Sequence, residues 1–216
     1  MIRHIKFLKN FKSFINATIK GKHKKKNGSK ISAGTIKCYK CMHNLIIKYE
    51  IHTETELLIP VLRNATRKDY LEVREYWRSF QKNYLSYLFR EQNHFDNYVG
   101  LNNKVIRTFL NWVKNDKGFD LGDFRSALYI QTEDPPILTF SVNQIKFLIH
   151  NNTFHDSLSS ALQRSKNILV FGCLTGLRYS DMMTIKQEHI KNMDDEVYLD
   201  LYSQKTGAVI ILKLPP

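Results

Sequence analysis

Apolar residues recur every three or four positions along most of the first 115 residues, the spacing of one face of an α-helix. Phe7, Phe11, Phe14 and Thr18 mark a first helix whose other faces carry lysines and which Gly21 ends. Ile36, Tyr39, Met42, Ile46 and Tyr49 mark a second, which Ser32 or Thr35 is able to cap. A third is expected over residues 69–91, burying Tyr70, Val73, Trp77, Phe80, Tyr84 and Leu88. A fourth is expected over residues 98–115, turning Leu101, Val105, Phe109, Trp112 and Val113 inward. Together they predict one α-helical module with no nucleophile paired to a base.

The pattern then changes. Glu133 and Asp134 precede Pro135-Pro136, and paired prolines favour an extended crossing over a helix. The reading therefore places a linker at residues 128–138, between a helical domain at 1–127 and a second domain at 139–216. Ser141-x-x-Gln144 is a capping-box pattern that opens a short helix. A longer one follows with Leu158, Ala161, Leu162, Ile168, Leu169 and Phe171, a stripe expected to face a core. Thr175-Gly176-Leu177-Arg178-Tyr179-Ser180-Asp181 reads as a turn feeding another helix, capped by Ser180 or Asp181. Val197, Leu199 and Leu201 alternate, a turn passes near Lys205-Thr206-Gly207, and Val209, Ile211 and Leu214 return as a hairpin. The fold class is thus mainly α, followed by the start of an α+β domain. A two-stranded ribbon has little to pack against, so the reading expects a fragment whose sequence continues past Pro216.

Charge adds what periodicity does not carry. The chain has a formal net charge of +13. Residues 1–50 hold thirteen Lys or Arg against one acid, Glu50, a net +12; the rest hold twenty against nineteen, a net +1. Charge concentrated in this way attracts a polyanion, and each neutralised phosphate releases counterions. The run Lys22-His23-Lys24-Lys25-Lys26 lies in a Gly- and Ser-containing stretch and not along an amphipathic helix, which favours nucleic acid over an anionic lipid surface. Lys22, Lys24, Lys25, Lys26, Lys30, Lys37 and Lys40 are the candidate DNA contacts.

Cys38, Cys41 and Cys173 are too scattered for a disulfide framework, and Cys38-x-x-Cys41 lacks the second ligand pair of a structural zinc site. No metal or other cofactor is expected. No stretch approaches the ~20 apolar residues that span a bilayer, and lysines interrupt the apolar N-terminus, so a soluble, cytoplasmic protein is expected.

The segment Thr175-Gly176-Leu177-Arg178-Tyr179-Ser180-Asp181, following an apolar helix, resembles the box that carries the first catalytic arginine of tyrosine recombinases, the phage-integrase family. Lys205-Thr206-Gly207 resembles that family's β-hairpin lysine, twenty-seven positions after Arg178. Upstream, the basic first helices, the Ser32-Ala33-Gly34-Thr35 helix start and the Trp77/Phe80 and Phe109/Trp112 helices resemble the helical (SAM-like) core-binding domain of mobile-element integrases. The resemblance implies two domains that close on duplex DNA, which also serves to bring other protomers together. It gives Arg178 the role of a planar guanidinium holding the reacting phosphate. It makes Lys205 the general acid that protonates the departing 5′ oxygen. Asp181 supports Arg178, and Thr175 and Gly176 shape the turn. The plainer alternatives make Arg178 an ion-pair partner of Asp181 and Lys205 an ordinary turn lysine.

The family completes its site with a His-x-x-Arg box and a tyrosine nucleophile C-terminal to the hairpin. None of the eleven tyrosines here follows Lys205. The expectation is a DNA-binding protein of recombination or integration that binds without cleaving. The alternative is a stand-alone DNA-binding module that competes with a complete integrase.

Overall fold

The computed structural model describes residues 1–25, 27–129, 132–193 and 196–214. The chain is mainly helical with two small antiparallel sheets, and it divides into two compact units, Met1–Pro135 and Pro136–Pro216. The division falls between the paired prolines.

In the first unit β1 (Ile2–Lys6) runs directly into α1 (Phe7–Ile19). Next come α2 (Ala33–Thr53), β2 (Leu58–Leu62), α3 (Arg67–Arg90), α4 (Asp96–Lys117) and the single turn α5 (Phe124–Ala127). The expected Ser32 cap acts on α2, and α3 carries a capping box that the pattern did not single out. Ser32 accepts from the Thr35 amide at the start of α2, and Thr66 and Asp69 form a reciprocal capping box on α3. β1 and β2 pair antiparallel with Ile2 opposite Leu62 and His4 opposite Pro60. A two-stranded sheet has only edge strands, where a residue without an N–H is tolerated.

The core of this unit is built from rings. Phe7, Phe11 and Phe14 of α1 pack edge-on, stacked or tilted on Phe109 of α4, with centroids 4.7–5.8 Å apart. Tyr49, Phe80, Tyr84 and Tyr87 make a second cluster between α2 and α3. Trp77 is fully buried and donates its indole N–H to the Leu121 carbonyl at 3.0 Å, joining α3 to the segment before α5. Leu128 is also sealed in this core, so the packed unit extends beyond residue 127. The Asn97 side chain both donates to the Glu133 carbonyl and accepts from the Glu133 amide, each at 2.9 Å. Tyr70 and Leu101, expected inside, are 45% and 40% exposed; the Tyr70 hydroxyl donates instead to Asp120 at 2.6 Å.

The second unit contains α6 (Val142–His150), α7 (Asn152–Ser157), α8 (Ser160–Thr175) and α9 (Tyr179–Met182). A 3-10 turn, Gln187–His189, leads to β3 (Ile190–Met193), β4 (Glu196–Tyr202) and β5 (Val209–Lys213). The hairpin is one half of a three-stranded sheet, because β3 pairs with the other edge of β4. The expected longer helix is α8, which leaves Leu158 outside as the C-cap of the short α7, and Arg178 stands at the N-cap of α9 in place of Ser180 or Asp181. No residue of α6, α7 or α8 is buried; the stripe on α8 is partly open, with Leu162 and Leu169 exposed. Leu199 and Leu201 are the only apolar side chains of this unit that are buried among the described residues.

Candidate nucleic-acid interface and anion-binding corner

The described residues of the basic segment form a small hairpin. After α1 the chain turns at Gly21, and the amides of Lys22 and His23 both donate to the Ala17 carbonyl, at 2.9 and 3.3 Å. Lys24 and Lys30 then face each other in an antiparallel bridge. The Lys25 amide donates to the Ser29 carbonyl at 2.9 Å, and the Gly28 amide to the Lys25 carbonyl at 2.9 Å. Gly28 has φ +79°, a left-handed conformation that a side chain would strain. Asn27 Oδ1 accepts from both the Ser29 amide and hydroxyl.

Lys22, Lys24, Lys25 and Lys30 are exposed on this hairpin, and Lys37 and Lys40 are exposed on α2, which starts three residues past Lys30. Lys26 lies outside the described residues. Among the described residues none of these six lysines has a carboxylate within 4.0 Å. Their charge is thus uncompensated locally and open to solvent, the condition under which a phosphate backbone gains most. His23 is the exception in the hairpin. Its ring is half-buried against Phe14, with centroids 5.1 Å apart, and burial pushes its pKa below the usual value although Asp116 pulls it up.

In the second unit Gly176, at φ +65°, ends α8 and lets the chain turn sharply towards Arg178. Thr175 braces the turn, its hydroxyl donating to the Phe171 carbonyl at 2.7 Å and accepting from the Leu177 amide at 3.4 Å. Asp181 is fully buried. One carboxylate oxygen accepts from the Gln204 amide at 2.8 Å, and the other accepts from the Ser203 hydroxyl at 3.4 Å. Arg178 Nη1 lies 3.3 Å from Ser203 Oγ and 3.8 Å from the Asp181 carboxylate. The Arg178 side chain is 55% exposed, so one nitrogen is steadied from behind while much of the guanidinium is open to solvent. Such a group presents parallel N–H donors to an oxyanion.

Lys205 is exposed on the turn of the β4–β5 hairpin, two residues past Ser203. The turn is held by the Ser203 amide donating to Ala208 and the Gly207 amide donating to Ser203, each at 2.8 Å. Asp181 therefore fastens the arginine corner to the hairpin that carries Lys205. Sequence reading overlooked Ser203 and Gln204. Ser203 had a signal, since Leu199, Leu201 and Ser203 alternate on one face of the strand and all three are buried. Gln204 contributes a backbone amide, which no side-chain pattern announces.

Elsewhere, Cys38 is half-buried and Cys41 exposed on α2, and burial raises the Cys38 thiol above its usual pKa. Among the described residues no three His, Cys, Asp or Glu side chains are grouped to hold a metal ion, and no helix is long and apolar enough to cross a membrane. No family model, curated protein or solved structure matches the chain.

Proposed function

We propose that this protein binds duplex DNA and is of the tyrosine-recombinase type. Its first unit grips the phosphate backbone through the Lys24–Lys30 hairpin and the start of α2, and its second presents Arg178 and Lys205 to a phosphodiester. The observation that carries the reading is the group of six exposed lysines, unpaired among the described residues, in a region holding +12 of the +13 net charge. In this reading Arg178 neutralises charge on the nonbridging oxygens, Asp181 and Ser203 fix its orientation, and Lys205 delivers a proton to the leaving 5′ oxygen. A stand-alone binding module is the second reading, favoured by the placement of the basic hairpin on a unit with its own sealed aromatic core.

Titration of duplex DNA at rising salt tests the proposal. Affinity is expected to fall steeply with salt, and Lys24→Ala with Lys25→Ala is expected to weaken binding to unrelated sequences alike and to flatten the log–log salt slope by about 2. Binding that is absent at low salt, or indifferent to salt, overturns it. Arg178→Ala separates the two readings: reduced affinity for nicked or distorted duplex supports the recombinase type, and unchanged affinity supports the module.

A further inference from the structure

The hairpin of residues 21–30 contains an electrostatic problem. Lys24 and Lys30 stand directly opposite each other in its bridge, and like charges so placed repel. The neighbouring Lys22 and Lys25 add to the repulsion, and no carboxylate lies within 4.0 Å of any of the four among the described residues. Beyond its backbone hydrogen bonds and the Asn27–Ser29 contact the loop has no apolar side chain to hold it down, since residues 21–30 comprise lysines, two glycines, Asn27, Ser29 and His23. His23 alone offers a ring. That ring sits on Phe14, which is itself fully buried and packed on Tyr39, Phe109 and Trp112 with centroids 4.9–5.8 Å apart. The loop is thereby tied to the buried aromatic core of the first unit.

Building on the DNA-binding reading, we infer that His23 is the positioning residue of the phosphate-binding hairpin, its imidazole docked on Phe14 holding the repelling lysines in place before DNA arrives. Preorganisation of this kind spares the complex the entropy of ordering the loop on binding. His23 makes no phosphate contact in this scheme, so its loss lowers affinity without changing the number of counterions released. That separates it from the lysines, each of which alters the salt slope.

The test compares His23→Ala, His23→Phe and the wild-type chain on one duplex across a salt series at pH 7.5. His23→Ala is expected to weaken binding on the order of 3- to 10-fold, the range an aromatic contact supplies. Its log–log slope is expected to stay at the wild-type value and its melting temperature to fall by no more than a few degrees, and His23→Phe is expected to restore affinity. The His23 ring protons of the free protein should resonate upfield through the Phe14 ring current. The inference is overturned by wild-type affinity in His23→Ala, by a flattened slope, or by failure of His23→Phe to restore binding. Salt-indifferent or absent binding by the wild-type chain overturns the DNA reading as well, whereas the other outcomes leave that reading standing.

Discussion

At Asp181 a carboxylate has been taken wholly out of water and given two donors, the Gln204 amide and the Ser203 hydroxyl. Arg178 stands 3.8 Å away and is half in solvent. The two ends of this contact are therefore unequal. Asp181→Ala strands two buried donors and is expected to destabilise the second unit by about 1–3 kcal/mol. Arg178→Ala removes a half-exposed charge and is expected to cost less than about 1 kcal/mol. Denaturation followed through amide signals of β4 and β5 checks the ordering, and equal losses would show a mutually dependent ion pair instead.

Histidines add a pH dependence of definite sign. Burial is the leading cause that lowers the pKa values of His23, His43 and His94 below 6.5. The folded state thus holds these rings neutral while the unfolded chain takes up protons near pH 6.5. Their stabilising contribution is full above pH 6.5 and is lost as pH falls through the lowered folded values. The urea midpoint is expected to be lower at pH 5.5 than at pH 7.5, and an unchanged or higher midpoint at pH 5.5 would contradict this assignment.

Among the elements, α1 to α4 were legible because each must bury one face, and burial imposes the three-and-four spacing on Phe7, Phe11 and Phe14 or on Trp77, Phe80 and Tyr84. The short elements carried no such signature. β1 passes into α1 without a break, β2 contains Pro60, which reads as an interruption, and β3 is exposed along its whole length. The arginine corner was legible as far as Arg178, Asp181 and Lys205, whereas its fastening to the hairpin depends on Ser203 and a backbone amide. Asn97 was silent for a similar reason, since an asparagine that imitates a strand partner for Glu133 resembles any surface amide. Asn97→Ala frees the segment before the paired prolines. Limited proteolysis is expected to cut around Glu133 faster in that variant with little change in melting temperature, and an unchanged cutting rate would show that other contacts hold the segment.

As a whole the molecule is thermodynamically lopsided. Among the described residues the first unit seals thirty apolar side chains, from Phe7 to Leu128, and the second seals Leu199 and Leu201. Ordering a residue costs on the order of 1–2 kcal/mol of backbone entropy, which burial must offset, and in the second unit little burial is at hand to do so. Its openings are consequently cheap. Backbone amides of α6 to α8 should exchange their hydrogens far ahead of those in α1, α3 and α4. A ligand that binds only the closed form draws such a unit towards order by mass action. On the proposed DNA-binding reading, the Arg178 corner would then be a site whose shape is completed by occupancy, with saturating duplex DNA slowing exchange in α6 to α8 and β3 to β5. Exchange that is as fast in the complex as in the free chain would mean that the corner owes none of its order to its ligand.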